Sequence, residues 1–141
     1  MSLKLIRLQK LFIVLDLANG NFQVIPLRLQ KLFIVLVPGM VALPEWFRGA
    51  ANTLQVLCIW YCENLDALPW WLTSFTSLRK LVLKSCPKLL SLPEGMDHLT
   101  ALREVQIADC PHLESRCQRD IGEDCEKISH VPHVSFSFYV D

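Results

Sequence analysis

Residues 78–93, LRKLVLKSCPKLLSLP, contain the pattern that decides the fold of this chain. The stretch reads L-x-x-L-x-L-x-x-C, and it ends on a Leu-Pro pair. Its cysteine belongs to a series, because Cys62, Cys86 and Cys110 are each 24 residues apart. The apolar positions repeat with the same spacing: Leu54, Leu78 and Leu102; Leu57, Leu81 and Val105; Ile59, Leu83 and Ile107; Leu65, Leu89 and Leu113. Such self-similarity at a fixed period indicates a stack of structural units.

Each unit predicts one short strand and one return segment. The L-x-L core has the alternation of a strand, so its leucines point into the stack and its x residues point outward. The cysteine follows where the chain turns off the strand, and the Leu-Pro pair ends that turn, because proline suits a segment outside the ladder. The return segment carries one further apolar position, occupied by Phe47, Leu72 and Met96.

The first unit admits two registers. Residues 7–15 (RLQKLFIVL) recur identically as residues 28–36, which implies a 21-residue unit with Leu8, Leu11 and Ile13 in the core. The spacing from Phe12 to Ile25-Pro26 fits the chemistry of the repeat better, but it leaves a short unit. We favour a strand around residues 11–17 without fixing its register.

These features predict an α/β leucine-rich-repeat solenoid with short parallel strands on its concave face, irregular or short helical return segments, and a C-terminal cap. Residues 1–110 hold about four to five repeats, the first one irregular. Residues 111–141 form the cap. Within it, the polar stretch 116–129 is compatible with a short helix carrying Glu123, Asp124 and Lys127 as solvated charges, and residues 133–140 alternate like a final strand.

Composition excludes several classes of partner. Fourteen basic and fourteen acidic side chains cancel, so there is no basic field to attract nucleic acid. No apolar stretch reaches the ~18 residues that span a bilayer. The basic residues before Leu11 give the N-terminus a faint likeness to a signal peptide, but Asp16 interrupts the apolar run, and a buried strand is favoured there.

Catalysis, cofactors and metals find little support in the sequence. No G-x-S-x-G, H-E-x-x-H or C-x-x-C string occurs, and Asp97-His98 is favoured as an exposed polar pair, so we expect no enzyme and no cofactor. A zinc site is a weak alternative, because its candidate ligands include no tight C-x2-4-C pair of the zinc-finger kind. Its ligands would come from Cys110, His112, Cys117, Cys125, His130 and His133, with Cys117, Cys125, His130 and His133 as the core set. Free, reduced thiols are favoured over disulfides.

The outward strand positions predict a protein-binding surface. Trp60 and Tyr61 supply aromatic anchors, and Lys80 and Lys84 favour an acidic partner. The alternative is that Trp60 and Phe33 merely pack on their neighbours. The candidate binding residues are Phe33, Val56, Trp60, Tyr61, Lys80, Lys84, Glu104 and Gln106. Cys58, Val82 and Ala108 also take outward positions, whereas Trp46, Trp70 and Trp71 fall on return segments, where they cover the convex side.

The repeats resemble the C-terminal leucine-rich repeats of plant nucleotide-binding leucine-rich-repeat disease-resistance proteins. The likeness lies in LPEWF at 43–47, CPHLESRC at 110–117 and GEDCEKISHVP at 122–132, and it covers about residues 27–135. Cys125 stands where that family typically has tryptophan. The phosphate-binding loop G-x-x-x-x-G-K-[ST] is absent, so nucleotide binding does not carry over, and a fragment or truncated form is expected.

The resemblance implies a cytoplasmic recognition module of plant innate immunity. Its partners would be a pathogen effector or a guarded host protein, and the nucleotide-binding domain of the full-length receptor, which it helps to hold inactive. A leucine-rich-repeat substrate adaptor of the ubiquitin-ligase type, or another scaffold, is the alternative, and an F-box-like helical segment would discriminate it.

Overall fold

The computed structural model describes residues 10–13, 29–118 and 122–136. Its strands form one sheet in which each strand pairs in parallel with the next along the chain. In chain order they are β1 (Lys10–Ile13), β2 (Lys31–Val35), β3 (Val56–Trp60), β4 (Lys80–Lys84), β5 (Glu104–Ala108) and β6 (His133–Phe136). An all-parallel sheet with few, short helices is compatible with the α/β class.

The register of the strands reproduces the spacing of the sequence. Leu57 lies opposite Leu81, and Leu81 lies opposite Val105, so the apolar positions stack across the sheet. All three side chains have no solvent exposure. Burial of a leucine side chain stabilises a fold by roughly 1.5–3 kcal/mol, so the stacked rows explain why the pattern is strict at these positions.

The return segments close the core from the other side. After β2, β3 and β4 the chain forms the 3-10 helices Glu45–Ala50, Trp70–Ser74 and Met96–His98. Pro44 and Pro69 precede the first two in an extended conformation, which places each proline outside the ladder as predicted. Leu72 and Met96 are fully buried, which confirms the apolar return position for these two units. The side chain of Phe47 is not among those described.

The first strand follows the duplicated nonapeptide. Leu11 pairs with Leu32 and Ile13 with Ile34, so identical residues lie side by side at the 21-residue spacing. The strand predicted around residues 11–17 is found at Lys10–Ile13, and residues 14–17 lie outside the described part. The register of β1 is therefore the duplicated one, with a spacing of 21 residues.

The segment after β5 departs from the repeat. Helix α1 spans Pro111–Cys117, mostly before the polar stretch 116–129, and was not predicted. Within that stretch the structure has a short 3-10 helix at Cys125–Ile128. Proline at the first helical position explains why α1 starts there, because its missing N–H would be unsatisfied in any case. Strand β6 then pairs with β5, and Val134 and Phe136 pack on the core, as the alternation predicted; residues 137–140 lie outside the described part.

Candidate binding face

The structure places the predicted binding residues together. Seven of the eight occupy strand positions that alternate with the buried leucines, and all seven side chains are half-buried. They are Phe33 on β2, Val56 and Trp60 on β3, Lys80 and Lys84 on β4, and Glu104 and Gln106 on β5. The eighth, Tyr61, directly follows β3 and is 43% exposed. We call these strand positions, with the residue that follows each strand, the outward face.

Three outward strand positions are buried, contrary to the prediction. Cys58, Val82 and Ala108 are 4%, 6% and 6% exposed. Each is short, and the register sets it beside a longer side chain of the neighbouring strand: Cys58 beside Phe33, and Ala108 beside Lys84. Neighbouring strands are only about 4.8 Å apart, so a long side chain covers its short neighbour, and these three offer little surface to a partner.

An aromatic pair lies near one end of the outward face. The ring centroids of Phe33 and Trp60 are 6.3 Å apart with an interplanar angle of 76°, an edge-to-face arrangement. Such pairs contribute about 0.5–1.5 kcal/mol beyond their burial. The indole Nε1 of Trp60 is buried and has no hydrogen-bond partner. Trp60 therefore does pack on Phe33, yet part of its ring stays accessible and its donor is unsatisfied.

The residue after each of the strands β2 to β5 has a left-handed backbone. Leu36, Tyr61, Ser85 and Asp109 have φ between 55° and 58°, although none is glycine. The conformation turns their N–H groups to the neighbouring strand, where Tyr61 donates to the carbonyl of Lys84 over 2.8 Å. For an L-residue this conformation costs roughly 1–2 kcal/mol. The residue that follows each of these four is buried in the core. The four side chains themselves therefore lie in a row along the ends of the strands.

The charged groups of the outward face divide into two regions. The Nζ atom of Lys84 lies 5.7 Å from the ring centroid of Tyr61, in a cation–π contact. Lys80 is 3.8 Å from the carboxylate of Glu104, and the hydroxyl of Ser85 donates to Asp109 over 2.8 Å. Strands β2 and β4 carry lysines, β3 carries no charged residue, and acidic side chains begin at β5.

The cysteine column, Val37, Cys62, Cys86 and Cys110, turns into the core with no exposure. The thiols of Cys86 and Cys110 donate to the carbonyls of Lys84 and Ala108 over 3.4 and 3.3 Å, so they satisfy backbone groups at the turn. Hydrogen bonding with Cys110 raises the pKa of Cys86 to about 11. The same contact lowers the pKa of Cys110, but its sulfur is buried. These thiols are structural, since a nucleophilic cysteine needs a thiolate that solvent can reach.

The weak zinc alternative finds no support. Within the described residues, no three His, Cys, Asp or Glu side chains are grouped so as to hold a metal ion. Cys117 is buried, and burial raises its pKa to about 12. His130 contacts the carbonyl of Leu99 over 3.1 Å, and His133 is exposed on β6.

Asp124 is a buried residue that the sequence reading placed in solvent. Its side chain is 1% exposed and accepts hydrogen bonds from the Leu92 amide over 2.8 Å and from Lys127 over 3.0 Å, with Arg116 at 3.2 Å. Burial acts to raise the pKa of Asp124, but these hydrogen bonds outweigh it and lower the pKa. Because Leu92 belongs to the preceding repeat, Asp124 fastens the C-terminal segment to that repeat. Only Glu123 beside it is exposed as predicted, at 74%.

The tryptophans of the return segments behave differently from one another. Trp71 is buried, while Trp70 is 71% exposed. The guanidinium of Arg48 lies 5.2 Å from the Trp70 ring centroid and 5.5 Å from that of Trp71. The side chain of Trp46 is not described. Trp70 is therefore an exposed tryptophan that lies away from the strands, and its substitution is a suitable control for Trp60.

Comparison with models of protein families and with curated proteins gives no match to this chain. In the described part of the chain, every helix is too short or too polar to traverse a lipid bilayer.

Proposed function

We propose that this chain is the C-terminal part of a leucine-rich-repeat solenoid and that it works as a protein-recognition module of a plant immune receptor. The support for the solenoid is the one-to-one pairing of residues 24 apart in consecutive parallel strands. The support for the receptor class is the resemblance of the motifs at 43–47, 110–117 and 122–132.

The observation that carries the recognition function is the accessible aromatic and basic cluster of Trp60, Tyr61 and Lys84. A half-buried tryptophan with an unsatisfied Nε1, beside an exposed tyrosine held in a left-handed conformation, has features of an interaction hot spot. An apolar group of a partner would cover the accessible part of the Trp60 ring, and an acidic side chain would pair with Lys84.

In this proposal the partner is a pathogen effector or a guarded host protein, and contact with the nucleotide-binding domain of the longer receptor holds the receptor inactive. The chain acts in the cytoplasm, where its thiols stay reduced; the six cysteines are free. In this proposal the chain binds a protein and does not catalyse a reaction.

Affinity capture with matched variants tests this function. Immobilised wild type, Trp60→Ala and Trp70→Ala are exposed to leaf extract, and the proteins they retain are compared by mass spectrometry. A partner of the outward face is retained by wild type and by Trp70→Ala but lost from Trp60→Ala.

The purified partner should then bind Trp60→Ala about 30-fold more weakly, which corresponds to about 2 kcal/mol. Equal retention by all three proteins would show that the outward face around Trp60 is not the recognition site.

A further inference from the structure

A cavity lies where the chain leaves the repeats, next to the end of β5. It is bounded by α1 and β6 and has a volume of ≈ 480 Å³. Its lining residues are Asp109, Pro111, Glu114, Ser115, Gln118 and Phe136. Asp109 also ends the row of left-handed residues, so the cavity adjoins the acidic region of the outward face.

Glu114 is the group in this cavity that requires an explanation. The residue is 6% exposed, and its Oε2 accepts a hydrogen bond from the Cys110 amide over 2.9 Å. This contact helps to start α1, as in the reciprocal half of a capping box. The other oxygen, Oε1, is buried and has no hydrogen-bond partner. A buried carboxylate with an unsatisfied oxygen is costly, because nothing replaces the water that it has lost.

The second buried carboxylate shows what Glu114 lacks. Asp124 is contacted by a backbone amide and by two cations, Arg116 and Lys127. Among the described residues Glu114 has the backbone amide alone, and the described side chains that line its cavity include no lysine, arginine or histidine. The second oxygen of Glu114 is therefore left without the cationic donors that Asp124 has in the described part of the chain.

The lining selects a particular kind of cation. Two carboxyl groups, Glu114 and Asp109, attract positive charge and repel anions. Phe136 adds an aromatic ring, on which a planar guanidinium stacks favourably, and Gln118 adds a neutral polar group. Since Oε1 is enclosed, the carboxylate must rotate about its terminal torsion to meet the ligand, and that torsion is broad.

We propose that this cavity binds the guanidinium of an arginine side chain, which pairs with Glu114 and lies against Phe136. As a contact for a protein partner it rests on the proposed recognition function and adds an arginine to the chemistry of that partner. Trp60 and Lys84 would contact apolar and acidic groups of the partner at one end of the outward face. The cavity would bind a basic side chain of the same partner, next to the opposite end of that face.

A small probe tests the cavity independently of any protein partner. Nα-acetyl-arginine methylamide is titrated into the 15N-labelled chain, and its neutral isostere Nα-acetyl-citrulline methylamide serves as the matched ligand. Saturable shifts of the Cys110 amide and of the Gln118 side-chain amide are expected with the arginine probe. The citrulline probe should bind at least tenfold more weakly, because it lacks the charge that strengthens a hydrogen bond to a carboxylate.

Two variants localise the effect. Glu114→Gln keeps an acceptor for the Cys110 amide and should weaken probe binding at least tenfold, whereas Glu63→Gln, at an exposed carboxylate, should leave binding unchanged. Gln118→Arg supplies a guanidinium four residues after Glu114, so it should block the probe and raise the urea midpoint of unfolding. Because Gln118→Arg leaves Glu114 intact, it is informative even if Glu114→Gln fails to fold.

The outcomes are distinct. Charge-selective binding lost in Glu114→Gln supports the proposal. Absence of saturable shifts at millimolar probe, equal binding of both probes, or equal binding by both glutamine variants would overturn it. The recognition function is tested separately by affinity capture with Trp60→Ala, because binding of the probe does not require the aromatic cluster.

Discussion

Substitution of Asp124 by asparagine should release the C-terminal segment from the repeat that precedes it. The change keeps the size of the side chain and leaves an acceptor for the Leu92 amide, which lies 2.8 Å from Oδ2. It removes the charge that holds Lys127 at 3.0 Å and Arg116 at 3.2 Å. The perturbation therefore isolates the electrostatic part of the contact.

The size of the stability loss depends on how far Lys127 and Arg116 are exposed to water. The Lys127 side chain is 15% exposed and keeps the Leu92 carbonyl at 2.8 Å and Glu94 at 3.0 Å, so it loses one of its three partners. The Arg116 side chain is 38% exposed and recovers hydration. A hydrogen bond to a charged group contributes about 1.5–3 kcal/mol, and screening discounts the contact of Arg116. We expect Asp124→Asn to lower the free energy of unfolding by about 2–3 kcal/mol.

Urea unfolding monitored by circular dichroism measures the global effect, and hydrogen exchange of the Leu92 amide reports the local one. Glu123→Gln is the matched control, because Glu123 contacts the same Arg116 but is 74% exposed, so its change should stay within about 0.5 kcal/mol. If Asp124→Asn were as stable as Glu123→Gln, with unchanged protection at Leu92, the reasoning about this buried carboxylate would be refuted.

The same group sets a pH dependence. The pKa of Asp124 is lowered in the folded state, so its contribution is fully present above the unfolded pKa of ~3.9. That contribution disappears as the pH falls through the lower, folded pKa. Wild type should therefore lose more stability than Asp124→Asn when the pH is lowered from 5 to 3, roughly the range in which the carboxylate protonates. Parallel curves would contradict the shift.

Three further predictions concern the repeats and the thiols. Leu81→Ala should lower the free energy of unfolding by about 2–5 kcal/mol in urea titrations, since Leu81 is fully buried, and a loss below 1 kcal/mol would contradict its core position. Tyr61→Gly should be more stable than Tyr61→Ala by about 1 kcal/mol, because φ at this position is 58°; equal stability would argue against the left-handed turn. Under native conditions iodoacetamide should alkylate Cys125 first, since the other five thiols are buried, and mass spectrometry showing earlier labelling of Cys86 would disprove that order.

The strands could be predicted from the sequence because the same apolar pattern recurs in each unit. The pairing of Leu57, Leu81 and Val105 follows directly from their shared spacing. The register of β1 was harder to predict, because the duplicated nonapeptide and the apolar spacing from Phe12 onward implied different registers. The pairing of Leu11 with Leu32 decides between them.

Burial of single polar residues could not be predicted from the sequence. Glu123 and Asp124 are adjacent acids in a polar stretch, yet one is exposed and the other fully buried. The difference arises from Leu92 and Lys127, and the pairing with Leu92 spans 32 residues. Likewise, Cys58, Val82 and Ala108 lie at outward positions by periodicity, but the length of their neighbours across the sheet buries them.

Core rows and outward rows of the sheet differ in how much their residues vary from strand to strand. Positions that stack in the core hold similar residues in every unit, as Leu32, Leu57 and Leu81 do, since each must fill the same space. Positions of one outward row differ from strand to strand: Val35, Trp60, Lys84 and Ala108 lie side by side. Packing does not require this variation, because every strand has the same backbone register. In the proposed recognition function, a partner contacts this row across the strands, with an apolar group at Trp60 and an acidic group at Lys84.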